Sequence, residues 1–198
     1  MALSFAKISV ELREILLSNR PEKLYKISPK GTVPVLQTEQ KVIDESLDIM
    51  FWALDKIETT NNILSNIELQ KEMVKKNDNE FKIWLDRYKY NDRNKNFTLE
   101  ECKSKCGEII FNYETKLEQN NYLLGNSISF VDIAIFPFIR QFVNVDIKYF
   151  SETYPFSDKW LENMLKSELF NSVMKKYPQW KMNDLPNIIN FKSEAIET

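Results

Sequence analysis

Residues Ser28 to Ser46 read SPKGTVPVLQTEQKVIDES and run directly into LDIMFWAL. No other stretch of the chain limits its fold as narrowly. Val33, Val35 and Leu36 are strand formers set around Pro34. A proline has no backbone donor, so it is tolerated at a strand start or on a sheet edge. Thr38-Glu39-Gln40 is a short link between Val35-Leu36 and Val42-Ile43, which predicts a hairpin. Leu47, Met50, Phe51 and Leu54 then follow helical spacing on one face, so a helix begins near Asp44-Glu45-Ser46.

This layout builds a small site for a peptide-like ligand. A cis bond at Val33-Pro34 would turn the backbone of Val33 outward and leave its N–H and C=O free to pair. A helix start presents unpaired N–H groups and the positive end of the dipole, which suits a carboxylate. Ser46 adds a hydroxyl, and Glu45 can accept from an ammonium beside that carboxylate. An α-amino acid head group carries both charges at that separation. The competing reading is that Asp44 or Ser46 simply caps the helix.

The composition closes off several chemistries. The chain has no histidine, which rules out a Ser-His-Asp triad, a Cys-His pair and His-ligated zinc; no metal site is expected. Net charge is -2 with lysine and arginine spread along the chain, so there is no nucleic-acid footprint. No apolar run approaches the ~18 residues of a membrane span. Glu11, Arg13 and Glu14 interrupt any signal-peptide core. The expectation is a soluble, cytoplasmic protein. Hydrophobic residues make up 43% of the chain, enough for a packed core. Cys102 and Cys106 stand four apart on a helical face with Leu99, Ile109, Ile110, Tyr113 and Leu117. They read as buried core thiols; a redox pair is the alternative, without the C-x-x-C spacing of one.

Residues 1–56 read β-α-β-β-α after a helix remnant at Met1–Ile8, with a strand over Val10–Leu17 and a helix opened by Pro21. Residues 57–65 are polar and aperiodic and read as a linker. Residues 66–198 read as an all-helical domain, irregular beyond Trp180. Phe81, Trp84, Leu85 and Tyr88 share one helical face, and Asn91–Asn96 is a polar break. Thr98 with Glu101, and Ser129 with Asp132, have capping-box spacing. Asp132 therefore reads as a cap rather than a catalytic acid, and Pro137 is expected to kink the helix it lies in.

The segment SPKGTVPVL…VIDES resembles the glutathione-binding half of the glutathione transferase family, in its omega-like and related bacterial cysteine-type classes. The Ser129–Asp132 helix start is similar to the capping box of that family's C-terminal domain. The resemblance implies an α/β thioredoxin-like N-terminal domain followed by an all-α domain. It implies that Pro34 is cis, that Val33 pairs with the cysteinyl part of glutathione, and that Glu45 and Ser46 hold the γ-glutamyl head. Omega-like members carry a lysine before a proline that reaches the glycine carboxylate. Arg20 before Pro21 occupies that place, and its planar fork suits a carboxylate; a solvated loop charge is the plain alternative. Phe81, Trp84 and Tyr88 are candidates for the wall of a second-substrate cleft, or else core.

Family members open with a strand and a loop bearing the catalytic residue. Met1–Ile8 resembles the end of the helix that follows, so the thioredoxin-like domain is expected to lack its first strand and catalytic motif. A misassigned start, a truncation or a natural loss would each account for that, and two sheet ladders would then stand unpaired. The implied activity is thiol transfer or conjugation of glutathione, as substrate, to a small electrophile or disulfide, by a homodimer acting in detoxification. The alternatives are a non-enzymatic interaction module on the same fold and an inert fragment.

Overall fold

The computed structural model describes residues 1–57, 62–91 and 96–191. The chain divides into two compact units, Met1–Thr59 with Glu168–Thr198, and Thr60–Ser167. The first is the thioredoxin-like unit with small sheets and the second is helical, as the order of sequence patterns predicts. The sequence reading carried the helical domain through to residue 198, whereas residues beyond 167 group with the first unit.

In the first unit, α1 (Ala2–Phe5) packs on α3 (Ser46–Leu54), whose Ile49, Ala53 and Leu54 are buried. α2 (Glu22–Ile27) starts after Pro21, where a fixed φ is already compatible with a helix and no donor is wasted. β2 (Leu36–Gln37) and β3 (Val42–Ile43) form the expected hairpin, with Leu36 opposite Ile43 and Gln37 opposite Val42. Thr38 builds its turn. Its Oγ1 accepts from the N–H groups of Gln40 and Lys41, and its N–H donates to the Lys41 carbonyl. The Val33-Pro34 bond is cis.

The expected strand over Val10–Leu17 is much shorter: β1 covers Val10–Glu11. Its partner was not foreseen. β4 (Ile188–Ile189) lies antiparallel to it, Val10 opposite Ile189 and Glu11 opposite Ile188. The segment expected to be irregular beyond Trp180 is thus strapped along the strand. The Trp180 N–H donates to the Glu14 carbonyl, Leu12 N–H to the Asn187 carbonyl, and Ser9 Oγ to Asn190 Oδ1. Arg13 and Lys23 lie over the Trp180 ring at 5.2 and 5.9 Å. A two-residue strand with no hydrophobic alternation gives the sequence nothing to reveal, since its pairing comes from backbone groups. β1 therefore has a partner, and the β1–β4 and β2–β3 ladders are separate among the described residues.

In the second unit, a 3-10 turn at Asn62–Leu64 precedes α4 (Ile67–Lys76). Residues 58–61 of the expected linker lie outside the described residues, as do 92–95 of the polar break. A π-helical turn at Asn77–Phe81 joins α4 to α5 (Lys82–Lys89). Then come α6 (Leu99–Leu117), α7 (Phe130–Val143), α8 (Ile147–Thr153) and α9 (Pro155–Lys166); α10 (Glu168–Asn171) returns to the first unit. The helix α7 runs without a break through Pro137. Ten of its fourteen residues are buried, so it is the axis of the unit. Phe142 has Phe81, Tyr88 and Phe150 around it at 5.1–6.2 Å between ring centres. Fully burying one such ring is worth about 1.5–3 kcal/mol. A surface ion pair such as Lys148–Glu152, at 3.8 Å, contributes about 0–1 kcal/mol. Each buried ring therefore outweighs such an exposed ion pair in this unit.

Both predicted capping boxes form. Thr98 Oγ1 accepts from the Glu101 N–H, and the Glu101 carboxylate accepts from the Thr98 N–H. At α7 the Asp132 carboxylate accepts from the Ser129 N–H and hydroxyl, the Leu123 N–H and the Trp160 indole. One side chain thereby ties together the turn before α7, its first residues and α9. Gln70 does similar work, donating to the Ile63 and Ser65 carbonyls and accepting from the Val131 N–H. The Glu114 carboxylate caps α9 by accepting from the Phe156 and Ser157 N–H groups.

Candidate functional site

The antiparallel register fixes where the predicted residues meet. Leu36 stands opposite Ile43, so the chain before β2 runs beside the chain that enters α3. Pro34, Val33 and the turn at 28–31 are thereby brought toward Glu45 and Ser46. Glu45 is the residue before the helix, extended at φ -114 and ψ 133, and its carbonyl accepts from the Ile49 N–H. Its side chain does not cap the helix. Neither of the two capping candidates, Asp44 and Ser46, bonds to the first turn: Asp44 is engaged with Ser28, and Ser46 is the first helical residue with an exposed side chain. The N–H groups of Ser46, Leu47 and Asp48 precede the first intrahelical donor and are the orphan donors that every helix start leaves.

Val33 is 45% exposed, and among the described residues nothing pairs with its backbone N–H or C=O. A short piece of unpaired backbone is thus presented to solvent beside a helix start. That arrangement can pair with a peptide-like ligand by main-chain hydrogen bonds, with the helix N–H groups and the Ser46 hydroxyl free to take a carboxylate. Asp48 in the first turn adds a negative charge there, so an anion bound at that place is favoured when it brings a cation with it.

Two residues that the sequence reading did not single out complete the geometry. Ser28, 1% exposed, donates its hydroxyl to Asp44 Oδ2 at 2.9 Å. Lys30 Nζ lies 2.7 Å from Glu45 Oε1 and 3.4 Å from Asp44 Oδ1. The Ser28 hydrogen bond, helped by Lys30, holds the Asp44 carboxyl below the usual carboxylate range. The Glu45 contact, then Asp44, raises the Lys30 ammonium above the usual lysine value. Gly31 makes the turn possible. Its φ is +61, its N–H donates to the Ser28 carbonyl, and a Cβ there would overlap the Tyr25 ring. Only the hairpin register brings Lys30 across from Asp44 and Glu45, which is why residue spacing along the chain did not reveal it.

Arg20 is exposed, immediately before Pro21, and makes no ion pair among the described residues. Of the aromatic candidates, Phe81 and Tyr88 are buried against Phe142 inside the helical unit, at 0% and 3% exposure. Trp84 is half-buried, edge-on to Phe97 at 5.0 Å with Arg87 stacked on its ring. Ser129 and Asp132 are buried structural groups; burial pushes the Asp132 carboxyl up, against the pull of its four donors. Cys102 and Cys106 are fully buried, and burial raises the Cys106 thiol to about 12. Among the described residues no cluster fits a metal ion, and no helix is long and apolar enough to cross a membrane.

The glutathione S-transferase N-terminal domain model matches residues 1–61, and the C-terminal domain model matches residues 70–168. A probable glutathione S-transferase GSTF1 of Oryza sativa subsp. japonica is 28% identical over 67 residues, 34% of this chain and 31% of that protein. Elongation factor 1-gamma 3 of the same species is 23% identical over 90% of this chain and 46% of its own length. The chain thus spans less than half the length of the curated relatives it matches. Among solved structures, glutathione S-transferase I from mais, in complex with an atrazine–glutathione conjugate, has a TM-score of 0.70 and 18% identity. That match covers 87% of each chain.

Proposed function

Because the chain belongs to the glutathione S-transferase family, we propose that it binds glutathione at the Val33–Ser46 site. The open backbone of Val33 pairs with the cysteinyl residue. The α3 N–H groups and the Ser46 hydroxyl take the γ-glutamyl carboxylate, and Glu45 takes its ammonium. Arg20 reaches the glycine carboxylate, the feature that favours the omega-like, cysteine-type branch. The observation that carries the reading is the coincidence of three features: an unpaired backbone at Val33, an uncapped helix start and, beside it, the Glu45 carboxylate with Lys30 on it. A capping role for Asp44 or Ser46 would have consumed the second of these.

Conjugation or thiol transfer to a small electrophile or disulfide follows from the family. No side chain is assigned to that chemistry, and both thiols of the chain lie buried in the helical unit. A cytoplasmic homodimer acting in detoxification, with Trp84 facing the second substrate, is the extension of the same reading. A second reading, a non-enzymatic interaction module, is favoured by the elongation factor relative, which matches 90% of this chain. A module of that kind has no use for Glu45 and Ser46.

Calorimetric titration with glutathione separates the two. The binding reading expects saturable heat from the unaltered chain. It expects Glu45→Ala to weaken binding by about 10- to 100-fold, the worth of a hydrogen bond to a charged group, with the melt nearly unchanged. Undiminished binding by Glu45→Ala removes the assignment, and absence of binding by the unaltered chain favours the module.

A further inference from the structure

The carboxylate assigned to the ligand's ammonium already holds one. Lys30 Nζ lies 2.7 Å from Glu45 Oε1, and among the described residues this is the only hydrogen bond that Glu45's side chain makes. We propose that Lys30 is a specificity-determining residue of this site, an internal ammonium that a γ-glutamyl head must displace from Glu45. The proposal rests on the glutathione reading above.

Three features make Lys30 a built occupant. The Gly31 turn, closed by its N–H on the Ser28 carbonyl and packed on the Tyr25 ring, fixes the backbone from which Lys30 extends. Ser28 is buried and anchors Asp44 through Oδ2, which leaves Oδ1 facing Lys30. Lys30 therefore has two seats, Glu45 at 2.7 Å and Asp44 at 3.4 Å. When an α-ammonium takes Glu45, Lys30 retains Asp44, and both carboxylates keep a cation. A ligand without an ammonium leaves Lys30 on Glu45 and gains nothing from that carboxylate. Because Lys30 competes with the ligand's ammonium and not with a simple dicarboxylate, the exchange of one ammonium for another narrows the site's preference for amino-acid head groups, at a modest cost in glutathione affinity.

The cost is set by the exposure of the pair, with Lys30 and Glu45 side chains 53% and 62% exposed. An exposed ion pair withholds about a two- to fivefold factor in a binding constant. The test is calorimetric titration of the unaltered chain, Lys30→Met and Lys30→Arg with two ligands. One is glutathione and the other its des-amino analogue, glutaryl-cysteinyl-glycine; melts check that each variant is folded. The expected result is glutathione binding about two- to fivefold tighter in Lys30→Met and unchanged in Lys30→Arg. The preference for glutathione over the des-amino ligand rises in Lys30→Met, because Glu45 is then left without a cation in the des-amino complex. Equal or weaker glutathione binding by folded Lys30→Met overturns the displacement while the glutathione reading stands; weaker binding would make Lys30 a direct ligand of the bound carboxylate. If neither the unaltered chain nor Lys30→Met binds glutathione in the millimolar range, the glutathione reading itself falls and the inference with it.

Discussion

Replacing Asp132 by alanine removes the acceptor on which the start of α7 converges. The carboxylate is fully buried and accepts from the Leu123 N–H, the Ser129 N–H and hydroxyl, and the Trp160 indole, at 2.9–3.0 Å for the three nitrogen donors. The Ser129 hydroxyl can rotate to another acceptor, but the three N–H groups cannot. Each buried donor left unpaired costs about 1–3 kcal/mol, which sets a range of about 3–9 kcal/mol. Water entering the vacated volume recovers part of this, so the expected loss is about 3–5 kcal/mol, as when a buried polar partner is removed. That is a large share of the stability of an ordinary domain. Urea denaturation of the whole chain, followed by tryptophan fluorescence and far-UV circular dichroism, gives the number.

The same residue makes a pH prediction. Burial raises its carboxyl in the folded state above the unfolded value, so the folded chain holds this proton more tightly. The stability it contributes is full below the unfolded value and declines as pH rises through the folded one. Asp132→Asn does not titrate, so the melting-temperature gap between the unaltered chain and this variant widens in favour of the unaltered chain as pH falls from 7 toward 4. A loss below about 1 kcal/mol in Asp132→Ala, or a gap that narrows on acidification, refutes this account of the buried carboxylate.

Other expectations follow from the same structure. Leu12 and Asn187 form a hydrogen-bonded pair, so by antiparallel alternation Val10 and Ile189 form the next one. Ile189→Pro removes that ladder donor and should cost about 1–2 kcal/mol, with faster amide exchange at Val10–Leu12 and unchanged exchange in α7; protection that does not change would deny the strap its role. Cys106, raised to about 12 by burial, carries almost no thiolate at pH 8. Neither it nor the equally buried Cys102 should react with a disulfide reagent until the chain unfolds, and rapid modification of the native protein would contradict the packing of α6.

What the sequence made legible depends on whether the signal was local. The hairpin of β2 and β3, the start of α3 and both capping boxes are written in residues within a few positions of one another, so each is legible in the sequence. The pairing of β1 with β4 joins residues almost the whole chain apart through backbone groups, which carry no side-chain pattern. Lys30 was missed for a related reason. It meets Glu45 only after the hairpin has closed, and a lysine before a glycine in a turn otherwise reads as a solvated charge. The aromatic stripe of Phe81, Trp84 and Tyr88 is legible as a helical face, but the sequence does not divide it. The structure buries Phe81 and Tyr88 and leaves Trp84 half-exposed. Pro137 lies inside α7, where the apolar run around it places it.

The most direct test of the account is amide chemical-shift mapping of the isotopically labelled chain during titration with glutathione. The account predicts saturable shifts at Val33, Ser46, Leu47 and Asp48, and none at Phe81 and Tyr88 inside the helical unit. Shifts confined to other segments, or no shifts in the millimolar range, would contradict the placement of the site at the cis-proline hairpin and the start of α3.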